Sequence, residues 1–107
     1  MADGVEAIQV VNASSVDMAT FTWRVDYDGG ESAEQQVVGG GSGMILLDDC
    51  PGLKPNQECW PLVHPILGES GRCGTNVAFS PRCGLVGTYK INAGAVVDCD
   101  YQGAAPS

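Results

Sequence analysis

Cysteine offers the most chemistry in this chain: Cys50, Cys59, Cys73, Cys83 and Cys99 stand in a sequence of 107 residues. That is high for a cytosolic protein, and the surrounding Pro and Gly fit a disulfide framework in a secreted or surface-exposed domain. Pairing by the shortest loops joins Cys50 to Cys59 and Cys73 to Cys83, and leaves Cys99 as the free thiol. Each bridge would contribute about 2–4 kcal/mol. A zinc centre is a poor alternative, because no C-x-x-C pair is present and His64 is the single histidine. Cys99 shares a strand face with Val97 and Tyr101, which marks it as a core thiol or, less simply, as an intermolecular link.

Three further groups have the right residue types for a site. Asp26, Asp28 and Glu31 bracket a turn and could turn hard oxygen ligands toward Ca²⁺, although the spacing lacks the third aspartate and distal glutamate of an EF-hand. Solvated turn carboxylates are the simpler reading. Any nucleophile–base pair must pass through His64, which sits between Val63 and Pro65 with no G-x-S-x-G element nearby, so no catalytic set is read and no cofactor is expected. Trp60, beside Cys59 and Pro61, is the candidate exposed indole for stacking on a sugar. With Lys54, Asn56 and Asp28 it completes the predicted ligand-binding residues. The sequon Asn12-Ala13-Ser14 is too short a match to carry an argument.

These residues must be positioned by strands. Phe21, Trp23, Val25 and Tyr27 alternate with Thr20, Thr22, Arg24 and Asp26, the period of a half-buried strand. Leu85, Tyr89 and Ile91, then Ala95, Val97, Cys99 and Tyr101, read as two strands of a hairpin turning at Asn92-Ala93-Gly94. Asp28-Gly29-Gly30 suits another tight turn. The run Gly39-Gly40-Gly41-Ser42-Gly43 reads as a mobile loop. Strands are expected near 5–12, 18–27, 31–38, 43–48, 58–67, 75–80, 85–91 and 94–102. Pro61 and Pro65 delete ladder donors on one side of the fifth, which suggests an edge strand. Residues 31–36 are helix formers but too short a run to hold a helix. The sum is one all-β domain over 1–107: an antiparallel β-sandwich or small β-barrel of about eight short strands.

Composition narrows the function. A net charge of −8 disfavours nucleic acid and anionic lipid, and no apolar run reaches the ~20 residues that span a bilayer. The start, Met1-Ala2-Asp3-Gly4, lacks a signal-peptide pattern, so a secretion signal is expected to be absent or removed. The leading expectation is a non-enzymatic recognition module that binds a carbohydrate or protein partner through its loops. A secreted inhibitor or toxin-like effector acting through the constrained Cys50–Cys59 loop comes second. A structural protein that self-assembles into homo-oligomers through edge strands or Cys99 comes third.

Overall fold

The computed structural model describes residues 2–14, 20–66, 68–93 and 96–106. Eleven strands form there: β1 (Asp3–Val5), β2 (Ala7–Asn12), β3 (Phe21–Tyr27), β4 (Gly30–Glu31), β5 (Gln35–Val37), β6 (Ser42–Leu46), β7 (Glu58–Pro65), β8 (Gly71–Arg72), β9 (Val77–Phe79), β10 (Leu85–Ala93) and β11 (Val97–Pro106). They make two sheets. One is ordered β1-β9-β7-β3-β4, with β5 on β3 and β8 on β7, and the other runs β11-β10-β2-β6. The sheets close as a β-sandwich over Phe21, Trp23, Val25, Val63 and Val77 from one side and Ile8, Val10, Tyr89 and Ile91 from the other, all buried.

Most ladders are antiparallel, but β1 lies parallel to β9 and β2 parallel to β10. The cause is a shared crossing. The expected strand at 5–12 bends at Glu6 and passes from one sheet to the other, and residues 77–93 do the same beside it. Two segments that cross together keep their relative direction in both sheets. The hairpin of β10 and β11 forms, with a register shift between Thr88 and Tyr89; Gly94 of its predicted turn and Ala95 of its predicted second strand lie outside the described residues, as does 15–19 ahead of β3.

Three local expectations are corrected. β7 is internal, not an edge: it pairs with β3 from Cys59 to Pro65. Val25 turns its N–H and C=O toward Ser32, so its partner Pro61 is a non-hydrogen-bonded pair whose missing donor faces away from β3. On that side only two-residue β8 and three-residue β9 pair with β7, so the prolines interrupt the sheet without leaving its interior. Residues 39–41 form a closed turn, with Gly41 N–H on the Val38 carbonyl and Gly40 N–H on that of Asn12, and Ser42-Gly43 already belongs to β6. In place of one edge strand over 31–38 there are two short ones, β4 and β5, joined through the buried Ser32 and the exposed Ala33 and Glu34.

The small size of Gly43 gives β6 its close approach to the core. An added Cβ would stand 3.1 Å from Gln35 Oε1 and 3.2 Å from Trp23 Nε1, so a larger residue would have to push these neighbours back by a few tenths of an ångström for β6 to close over the core tryptophan. Asn12 is fully buried and donates Nδ2 to the Val37 carbonyl at 3.1 Å. The sequon is therefore closed to glycosylation in the folded protein.

Candidate functional site

Two loops meet at the β3–β4 turn. The two residues Asp28 and Gly29 join the strands, with Gly29 at φ 99°, the left-handed backbone that a tight hairpin demands. Residues 50–57 fold against this turn and are fixed by backbone chemistry. Gln57 Nε2 donates to the Asp28 carbonyl at 2.6 Å, and Gln57 Oε1 accepts from Lys54 N–H at 3.0 Å. Asn56 N–H donates to the Phe79 carbonyl at 2.7 Å, and the Tyr27 hydroxyl donates to the Pro51 carbonyl at 2.5 Å. Asn56 stands at φ 69°, a conformation asparagine tolerates better than most side chains. Between the loops lies a shallow depression of about 450 Å³ lined by Asp28, Gly29, Gly52, Lys54, Asn56 and Gln57. Asp28, Lys54 and Asn56 are exposed there, carrying one negative, one positive and one neutral amide group.

Trp60 does not join them. It is half-buried on β7, and the Arg72 guanidinium lies 3.8 Å over its ring. Arg72 Nη2 donates to Asn76 Oδ1 at 2.5 Å, and Asn76 Nδ2 donates to Glu58 Oε1 at 2.9 Å, so the cation is held over the indole. The expected open stacking face is covered.

The carboxylates of the suggested Ca²⁺ group also part company. Arg24 Nε lies 2.7 Å from Asp26 Oδ1 and 2.8 Å from Glu31 Oε2, while Asp28 points to the loop depression. The hydrogen bond to Asp26, with the charges of Asp26, Glu31 and Glu34, raises the Arg24 pKa above its ordinary value. Among the described residues no group of three or more His, Cys, Asp or Glu side chains is arranged to hold a metal ion.

Sequence reasoning missed one constellation. His64 Nδ1 shares a short hydrogen bond with Ser70 Oγ, and its Nε2 lies 3.3 Å from Glu34 Oε1, which is also 3.8 Å from Arg24 Nη1. Serine, histidine and glutamate in contact are the parts of a hydrolytic relay. Two observations weigh against that use: Nε2 makes no hydrogen bond in a direction that would orient the ring, and neither Ser70 nor His64 lines the loop depression. Strand register puts His64 opposite Thr22 on the outer face; Ser70 and Glu34 come from connecting segments that no period marks.

The cysteine pairing is corrected. Cys99 is bonded to Cys73, 26 residues away, with Cα atoms 5.4 Å apart, while Cys50, Cys59 and Cys83 are free. Short loops were a weak guide, because doubling a loop costs only about 0.6 kcal/mol, whereas the packing of β8 against β11 decides which sulfurs meet. Cys50 and Cys59 are buried in the core. Burial, with Asp49 beside it, pushes the Cys50 thiol up to about 11, and burial, with Cys50 and Glu58 beside it, pushes Cys59 up to about 12. Such thiols are poor nucleophiles at neutral pH. The chain matches no protein-family model, no curated protein and no solved structure, and among the described residues no helix is long and apolar enough to cross a membrane.

Proposed function

We propose that this chain is a non-enzymatic recognition module, at work outside the reducing cytosol, that binds a protein partner through the loop patch of Asp28, Lys54 and Asn56. The observation that carries the reading is the convergence of these exposed groups on backbone already held by hydrogen bonds. A pre-ordered loop loses little entropy on binding. A protein partner is favoured over a carbohydrate because no aromatic ring lines the depression and Trp60 lies under Arg72. The disulfide Cys73–Cys99 supports an oxidising compartment.

An inhibitor working through residues 50–58 remains the second reading, and its rigidity rests on hydrogen bonds, so reductant would leave it active. Linkage through Cys99 is not available to an assembling protein, since that sulfur is already bonded. The test is cross-linking capture from extracellular fluid with the chain and with Lys54→Glu. A partner retained by the first and lost by the second supports the patch. Binding on a glycan array that Lys54→Glu abolishes transfers the site to carbohydrate, and p-nitrophenyl acetate turnover removed by Ser70→Ala would replace the binding module with a hydrolase.

A further inference from the structure

The four-stranded sheet ends on β6, and this edge has the features of a docking strand. Asn12 N–H bonds to the Gly41 carbonyl and Leu47 N–H to the Glu6 carbonyl, so with Val10 opposite Gly43 and Ile8 opposite Ile45 the antiparallel alternation turns Gly43 and Ile45 toward β2. The N–H and C=O groups of Ser42 and Met44 and the N–H of Leu46 therefore point outward, while the Leu46 carbonyl accepts from the Cys50 thiol at 3.8 Å. The Met44 carbonyl already accepts a side-chain substitute for a strand, Gln35 Nε2 at 3.0 Å. Alongside runs a groove of about 330 Å³, lined by Ser32, Ala33 and Gln35 on one wall and by Met44, Leu46 and Asp49 on the other. Met44 and Leu46 are 40% and 51% exposed, unusual for apolar side chains on an open edge.

We infer that β6 accepts an extended segment of another protein, in which apolar residues alternate with Lys or Arg. The outward backbone groups would pair with the added strand. Its apolar residues would cover Met44 and Leu46, and its cations would face Asp49, the charged residue of the groove, in a chain whose net charge is −8. The same charge opposes a second copy of this chain as the occupant. The surface is separate from the Asp28–Lys54–Asn56 patch, and the inference does not depend on the function proposed there.

The probe is a fluorescein-labelled seven-residue peptide of alternating Lys and Val, compared by anisotropy with its Glu-for-Lys counterpart. Expected are saturable binding of the first, at least tenfold weaker binding of the second, and a tenfold or greater loss in Asp49→Lys and in Met44→Pro, which removes an outward donor without touching the β2 ladder. Met44→Leu and Lys54→Ala should bind as the parent does. Near-ultraviolet circular dichroism checks each variant, and Leu46→Lys takes the place of Met44→Pro if that variant misfolds. Equal affinity for both peptides, no binding of either, undiminished binding by both edge variants, or loss of binding in Lys54→Ala would overturn the inference. So would a concentration-dependent dimer that the edge variant dissolves, which would give the edge to a second copy.

Discussion

The two edges of the four-stranded sheet are finished in opposite ways. β11 carries Asp98 and Asp100, meets β10 through a register shift, and is pinned by the Cys73–Cys99 bridge and by the Tyr101 hydroxyl on Asp3 at 2.8 Å. β6 has no charge within its five residues and no covalent tie. Charges and irregular register are the ordinary defences of an edge against pairing with another chain. Their presence on one side and absence on the other is what makes β6 the strand to watch, and it also predicts that stability resides unevenly in the molecule.

The largest expected effect lies on the defended side. Converting Cys73 and Cys99 to serine should cost about 3.5 kcal/mol, the loop-entropy value for a bridge spanning 26 residues, read from the urea midpoint; a loss under about 1 kcal/mol would mean that β11 holds its place by pairing alone. Gly71→Ala comes next, at about 2 kcal/mol, because its Cβ would stand 2.7 Å from that of Val97 at the start of β11. Val97→Ala should recover part of that loss in the double variant, and failure to recover would place the strain elsewhere.

Alkali should weaken both sheets. The folded state holds the Cys59 proton up to about 12 whereas an ordinary thiol releases it near 9, so between these values the unfolded chain binds fewer protons and stability falls as pH rises. Counting Cys59 alone, the loss reaches roughly 3 kcal/mol by pH 11, and Cys59→Val should flatten the curve. Tyr89 and Tyr101, both raised chiefly by burial, add to the decline above pH 10. The smallest effect is Leu46→Lys on β6, within about 0.5 kcal/mol of the parent in stability. Asp98→Val with Asp100→Val, equally mild in urea, should raise aggregation in light scattering by stripping β11 of its charges; unchanged scattering would remove the contrast between the edges.

Intact-mass analysis gives an independent check. Alkylation of the unreduced, unfolded chain should modify three thiols, Cys50, Cys59 and Cys83, and reduction should expose two more. Five modified thiols without reductant would mean that the bridge is absent.

Several features were legible before folding was considered. Alternation alone located the Phe21–Tyr27 strand and put Trp23 in the core, and Asp28-Gly29 marked its turn through the need for positive φ. Asp28, Lys54 and Asn56, expected to bind ligand together with Trp60, lie around one depression without it, since turn residues collect at the same end of a sheet. Trp60 could not be placed, because the cation above it comes from Arg72, twelve residues further on, and no period links them. Pro61 and Pro65 were read for the donors they lack, but which neighbour faced those gaps depended on register with β3.

The order of apolar and polar residues was sufficient for an all-β chain with a buried stripe on each long strand, because side-chain direction along a strand is a local property. Everything that needed two distant segments to meet was settled only by packing: the bend at Glu6 that sends one segment into both sheets, the union of Cys73 with Cys99, and the exposure of β6. Local geometry sets which way a residue faces, whereas the cost of closing a long loop rises so slowly with length that sequence distance barely constrains what it will face.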